Sequence, residues 1–182
     1  MSTTVKWGLI TGMVYVFFSL ISNMLGLAQP DGSKLIGLAV NTVLMLITFY
    51  TIYLGVKEIK EEEKGGYITV GEGFKAGMGI ALIASLISFL FTVVYLNFID
   101  PNFVESIKEA TEAQWEQGGM SEEQIEKASS FSGFMWSKSF FSLVTIVYIL
   151  FWGLIKSLVA GSILKKEAPP RVHEDTPTMP TA

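Results

Sequence analysis

"WGLITGMVYVFFSLISNMLGLA", residues 7–28, contains no Asp, Glu, Lys, Arg or His. That length matches the roughly 20 apolar residues an α-helix needs to cross a ~30 Å hydrocarbon core. Its reading decides the fold because three more blocks of the same kind follow. They are "LIGLAVNTVLMLITFYTIYLGV" (35–56), a stretch from Phe74 to Ile99 free of charge after Lys75, and a stretch from Phe140 to Leu164 whose only charge is Lys156. Apolar on every side, the blocks read as spans rather than amphipathic surface helices.

The expected fold is all-α: an integral membrane four-helix bundle forming one domain over residues 1–166, with a helical hairpin inserted between spans 3 and 4. A soluble bundle of deeply buried helices is the competing reading. Composition opposes it, since half the residues are hydrophobic and only 16% are charged, against about a quarter charged in soluble domains. The first block outruns the roughly 7–15 apolar residues of a signal peptide, so it reads as a span rather than a cleaved leader.

With no cysteine, the chain has no disulfide, thiolate metal site or thiol nucleophile. A formal charge of −4 and a single arginine exclude the basic footprint that nucleic acid demands. There is no HExxH, no nucleophile elbow and no carboxylate pair within the spans. The expectation is therefore a non-enzyme with no cofactor and no metal.

Lysine and arginine set the orientation. The N-terminus, the 57–75 loop and the tail hold Lys6, Lys57, Lys60, Lys64, Lys75, Lys165, Lys166 and Arg171; the other face holds Lys34, Lys108, Lys127 and Lys138. Both termini are thus expected on the cytoplasmic face of the membrane, with the 100–138 loop outside.

The connections follow from local chemistry. Pro30, Asp31 and Gly32 supply a tight reversal, which makes the first two spans antiparallel neighbours. Gly65 and Gly66 end the charged extension of the second span. "GEGFKAG" (71–77) matches neither phosphate-loop pattern and leads into a span, so it reads as a re-entry turn. In the external loop, Asp100 is expected to N-cap a helix with Pro101 at its first position, and Gly118-Gly119 to stop it. Ser121 and Gln124 then have the capping-box spacing for a second helix.

The first hairpin helix is two-sided. Val104, Ile107, Thr111 and Trp115 share one arc, with Trp115 suited to a membrane interface; Glu105, Glu109, Glu112 and Glu116 share another. The apolar arc is expected to meet Ile125, Ala128 and Phe131 of the second helix, or the membrane surface. The glutamate stripe reads as a solvated acidic face more readily than as a cation site. The tail 167–182, rich in Pro and Thr and carrying the sole histidine, His173, is expected to be disordered.

Inside the spans the polar residues are Asn23, Asn41, Thr42, Thr48, Ser85, Ser88, Thr92, Thr145 and Ser157, with several tyrosines including Tyr15 and Tyr148. Asn23 and Asn41 stand out, because an amide in hydrocarbon requires an interhelical hydrogen bond. Small residues recur every fourth position at Gly8 and Gly12, at Gly73, Gly77, Ala81 and Ser85, and at Gly153, Ser157 and Gly161. That spacing lets backbones approach closely, within one chain or between two.

Lys156 lies eight residues before Leu164, about 12 Å from the helix end at 1.5 Å per residue. A lysine stem can snorkel across much of that distance. It reads as an anchor for the cytoplasmic leaflet, with a functional charge as the alternative.

The pieces "GGYITVGEGFKAGMGIALIASLIS" (65–88), "NFIDPNFVESI" (97–107) and "GGMSEEQIEKA" (118–128), followed by a glycine-bearing span ending in "ILKK" (163–166), form an ordered pattern. Over about residues 5–166 the chain resembles the Bacteroidetes-type membrane family known as domain of unknown function 4199. The resemblance implies a four-span bacterial inner-membrane protein with an extracytoplasmic helical insertion; it brings no activity and therefore no functional residues.

The leading functional expectation is a structural or interaction component of the cell envelope, seated in the lipid bilayer. It acts through the acidic hairpin on a second copy of itself or on another envelope protein. The alternative is a small transporter or channel subunit in which Asn23, Asn41 and Lys156 line a polar path.

Overall fold

The computed structural model describes residues 1–27 and 33–168. The turn expected at Pro30, Asp31 and Gly32, and the tail with His173, lie outside the described residues. Within them the chain forms six α-helices: α1 Thr3–Met24, α2 Lys34–Glu58, α3 Val70–Val94, α4 Phe103–Gln117, α5 Glu122–Phe131 and α6 Lys138–Leu164. α2 and α3 each relax into a π-helical turn, Ile59–Glu63 and Tyr95–Ile99. With those extensions, α1, α2, α3 and α6 are the four helices long and apolar enough to cross a membrane.

The helix ends are set by side chains. Thr69 and Glu72 form a reciprocal capping box that starts α3, so the glycine-rich 71–77 stretch is helical from its first residue. Gly65 and Gly66, at φ of +62° and +86°, end the extension of α2 in a left-handed backbone that only glycine adopts without strain. Ser121 and Gln124 make the second capping box, opening α5.

The start of α4 differs from the expectation. Asp100 N donates to the Tyr95 carbonyl and thereby closes the end of α3. Pro101, lacking an N–H, starts the reversal, and α4 begins at Phe103 with Asn102 at its N-cap. Asp100 therefore ends one helix instead of opening the next.

Three registers fix how the spans pack. Between α1 and α2, Lys6 pairs with Glu58, Trp7 packs on Gly55, and Thr11 donates to Thr51 at 2.9 Å, an antiparallel ladder. Between α1 and α3, Thr4 meets Gly79, Gly8 meets Ile83 and Gly12 meets Ile87, so these two run parallel. Between α3 and α6, Gly73 meets Gly161, Gly77 meets Ser157 and Ala81 meets Gly153, antiparallel again. The fourfold spacing of small residues thus meshes α3 with α6 inside one chain. Lipid tails give little drive for apolar side chains to leave them, so contact of this kind is what holds such a bundle together.

One end of the bundle is sealed. Ile52, Val56, Ile68, Ile80, Ala160 and Leu164 form a buried cluster there, flanked by Trp7 and Phe49. A two-way backbone bridge between Ile68 and Lys166 ties the start of α3 to the end of α6. Outward-facing side chains are apolar, as at Phe17, Leu46, Leu90 and Val147, each about three-fifths exposed or more. Soluble monomers seldom carry so continuous an apolar belt.

Candidate functional site

At the opposite end, α2 diverges from its neighbours. Its residues from Lys34 to Ile47 are exposed or half-buried, whereas Thr48, Thr51, Ile52, Gly55 and Val56 are buried. The divergence leaves a cavity of about 530 Å³ with walls from all four spans. Val16, Val40, Leu44, Phe91, Phe141 and Val144 make it largely apolar, while Ser19, Ser22, Asn41, Ser88, Thr92, Thr145 and Tyr148 add hydroxyls and an amide. A smaller cavity of about 170 Å³ adjoins it, sharing Ser19, Phe91, Thr92, Phe141 and Thr145 and adding Asn23.

Tyr15 lines the larger cavity, and Lys156 sits against Tyr15. Lys156 is only 5% exposed. Its Nζ donates to the Tyr15 hydroxyl at 3.2 Å and to Thr48 Oγ1 at 2.5 Å, and lies 5.6 Å from the Tyr15 ring centroid. Thr48 Oγ1 in turn donates to the Leu44 carbonyl at 2.7 Å. One ammonium thus joins α6 to α1 and α2 in the middle of the bundle.

This arrangement corrects the snorkelling reading. In a helix the side chain is directed back toward the N-terminus, and for Lys156 that direction leads away from the Leu164 end of α6 and into the bundle. The lysine is a buried interhelical donor. No carboxylate lies within ion-pair distance of it among the described residues, and the apolar blocks contain no acid to supply one.

The other residues singled out in the sequence fall into separate groups. Gly77, Gly153 and Gly161 belong to the α3–α6 contact. Asn41 makes an interhelical bond, its Oδ1 accepting from the Tyr148 hydroxyl at 3.3 Å. Asn23 lines the smaller cavity near the end of α1. Asp100 and Pro101 form the turn into α4, and Trp115 is half-buried on that helix. Thr11 and Thr51, bonded to each other, carry no distinctive sequence signal beyond lying one turn below Tyr15 and Thr48.

The α4–α5 pair departs from expectation on one side. Glu105, Glu109, Glu112 and Glu116 face α5, lining a groove with Glu122 and Glu126, and Ser129 bonds to Glu112. Phe131 is 95% exposed, so it does not cover the apolar arc of α4. Among the described residues no three acidic or histidine side chains converge on a metal-sized centre.

No curated protein and no solved structure matches the chain. A family model does, over residues 6–166. Most of the chain, and all four spans with the α4–α5 pair between them, is thereby covered: the chain belongs to the family described as Protein of unknown function (DUF4199).

Proposed function

We propose that the chain is a multi-pass protein of the bacterial inner membrane, with both termini cytoplasmic and α4–α5 outside, acting without chemistry of its own as a small transporter or channel subunit. The observation carrying this reading is the cavity among the four spans directly above a buried lysine. The lysine-rich face coincides with the sealed end of the bundle, so the cavity forms a vestibule on the extracytoplasmic side. Small-molecule sites are commonly concave, mostly apolar and provided with a few polar groups, at roughly 300–1,000 Å³.

Because the chain has no cysteine, single introduced thiols report water access without background. Ser22→Cys in the vestibule wall should react with an impermeant maleimide applied from outside, and Ala160→Cys at the sealed end should not. An unreactive Ser22→Cys, together with no solute flux in proteoliposomes, would rule the reading out.

A second reading, an envelope interaction component working through the acidic hairpin, is favoured by the exposed Phe131 and Phe134 beside the glutamate groove. Crosslinking from the hairpin in native membranes, with deletion of residues 101–137 as control, tests it.

A further inference from the structure

The vestibule has a chemical polarity that narrows what it accepts. At its inner limit stand two hydroxyls, Tyr15 and Ser88, both buried. Ser88 is 5% exposed, and its Oγ, closed to solvent, has no hydrogen-bond partner among the described residues. A buried unpaired hydroxyl costs free energy, and a rotation about the Ser88 χ1 that brings it to a group bound in the cavity removes that cost. The Tyr15 hydroxyl already accepts from Lys156, and an oxygen that accepts from an ammonium is a stronger donor in turn.

Charge and shape agree with that donor pair. Lys156 lies directly behind Tyr15 without a carboxylate, and an unbalanced ammonium among apolar helices favours an anion within a few ångströms. Above this floor the walls become apolar through Val40, Phe91, Phe141 and Val144. A fully hydrated inorganic ion would gain nothing from such walls, whereas an alkyl chain would. A volume of about 530 Å³ has room for one alkyl chain.

Resting on the vestibule reading above, we infer that the cavity binds a single-chain carboxylate amphiphile of the fatty-acid class. Its carboxylate is held by the Tyr15 and Ser88 hydroxyls and balanced by Lys156, and its chain lies along the apolar walls. Recognition is by binding alone; no bond is made or broken.

The test uses the full chain in non-ionic detergent with the fluorescent fatty acid cis-parinaric acid as probe, displaced by dodecanoate, dodecanol or phosphatidylglycerol. Dodecanoate should displace the probe at least about tenfold better than dodecanol. Lys156→Met should remove that preference while leaving dodecanol unchanged. Ser88→Ala deletes an unpartnered hydroxyl and leaves the packing intact, so it should weaken dodecanoate about threefold to tenfold with no loss of thermal stability.

Equal displacement by dodecanol, unchanged dodecanoate binding in both variants, or phosphatidylglycerol competing as well as dodecanoate would each overturn the inference. Absence of probe binding while Ser22→Cys is labelled from water overturns the ligand class and leaves the vestibule standing. An unreactive Ser22→Cys removes the vestibule, and the inference with it.

Discussion

A Cβ on Gly73 would stand 2.7 Å from the Cα of Gly161, so α3 and α6 touch backbone to backbone. On the other side of that contact, a Cβ on Gly161 would meet the Val70 carbonyl oxygen at 2.9 Å and the Phe74 nitrogen at 3.1 Å. Backbone atoms within a capped helix have little freedom to move aside. Gly161→Ala is therefore expected to destabilise the bundle by about 1–3 kcal/mol, the usual cost of overpacking. Gly71→Ala, with nothing within 4 Å, should be neutral or stabilising by up to about 1 kcal/mol. Thermal unfolding in detergent followed by circular dichroism separates the two. The oligomeric state should not change in either, because the stripe is already occupied within the chain.

Lys156 and Tyr15 should be thermodynamically coupled. Tyr15→Phe leaves the ammonium with Thr48 as its one remaining side-chain acceptor among the described residues and should cost about 1–3 kcal/mol. Lys156→Met replaces an uncompensated buried charge with an apolar side chain of similar length and should be neutral or stabilising. Introduced into the Lys156→Met background, Tyr15→Phe should then be nearly silent. Strict additivity in that double-mutant cycle would mean that the ammonium does not depend on the phenol.

The sequence carried much of this. Four apolar blocks gave four helices, and fourfold small-residue spacing gave the contact stripes; the capping box at Ser121 and the Gly65-Gly66 stop are local chemistry read from adjacent residues, whereas the glycines of 71–77 suggest a turn where the Thr69–Glu72 box in fact starts a helix. The direction of Lys156 was also legible, because the tilt of side chains toward a helix N-terminus is general; distance to the helix end alone points the wrong way. The cavity was not legible. It depends on where α2 diverges from α1, a balance set by the Thr11–Thr51 bond, the Trp7–Gly55 contact and the Lys6–Glu58 pair at one end. Nothing within α2 itself marks Thr48 as the last tightly packed residue. Asp100 misled because its sequence suits an N-cap, while the π-turn at the end of α3 claims its backbone first.

The helix α5 is held by its cap more than by its packing. It has ten residues, none of them buried. Ser121 accepts from Gln124 N, and the Gln124 side chain accepts from Ser121 N at 3.0 Å. Losing an N-cap costs about 0.5–2 kcal/mol. In a helix that opens locally this appears as faster amide exchange. Ser121→Ala should raise exchange across residues 122–131 roughly fivefold, as expected for about 1 kcal/mol, and leave α1, α2, α3 and α6 unchanged. Hydrogen–deuterium exchange with mass spectrometry reads both regions at once.

The Tyr148–Asn41 bond should control the width of the vestibule more than it controls stability. Besides Lys156–Thr48, it is the one side-chain hydrogen bond between α2 and α6 among the described residues. It lies in the half where α2 is otherwise loosely held. Interhelical hydrogen bonds of this type in membranes contribute on average about 0.6 kcal/mol. Tyr148→Phe thus cannot unfold the protein, but it shifts the balance between a tethered and an untethered α2 by about threefold. With Ser22→Cys as reporter, maleimide labelling should accelerate by about that factor. Tyr50→Phe, on the outer face of α2 and 59% exposed, serves as the control and should leave the rate unchanged. Equal rates in the two variants would show that α2 is held in place by other contacts, such as that of Leu44 with the Tyr15, Ala84 and Ile149 cluster.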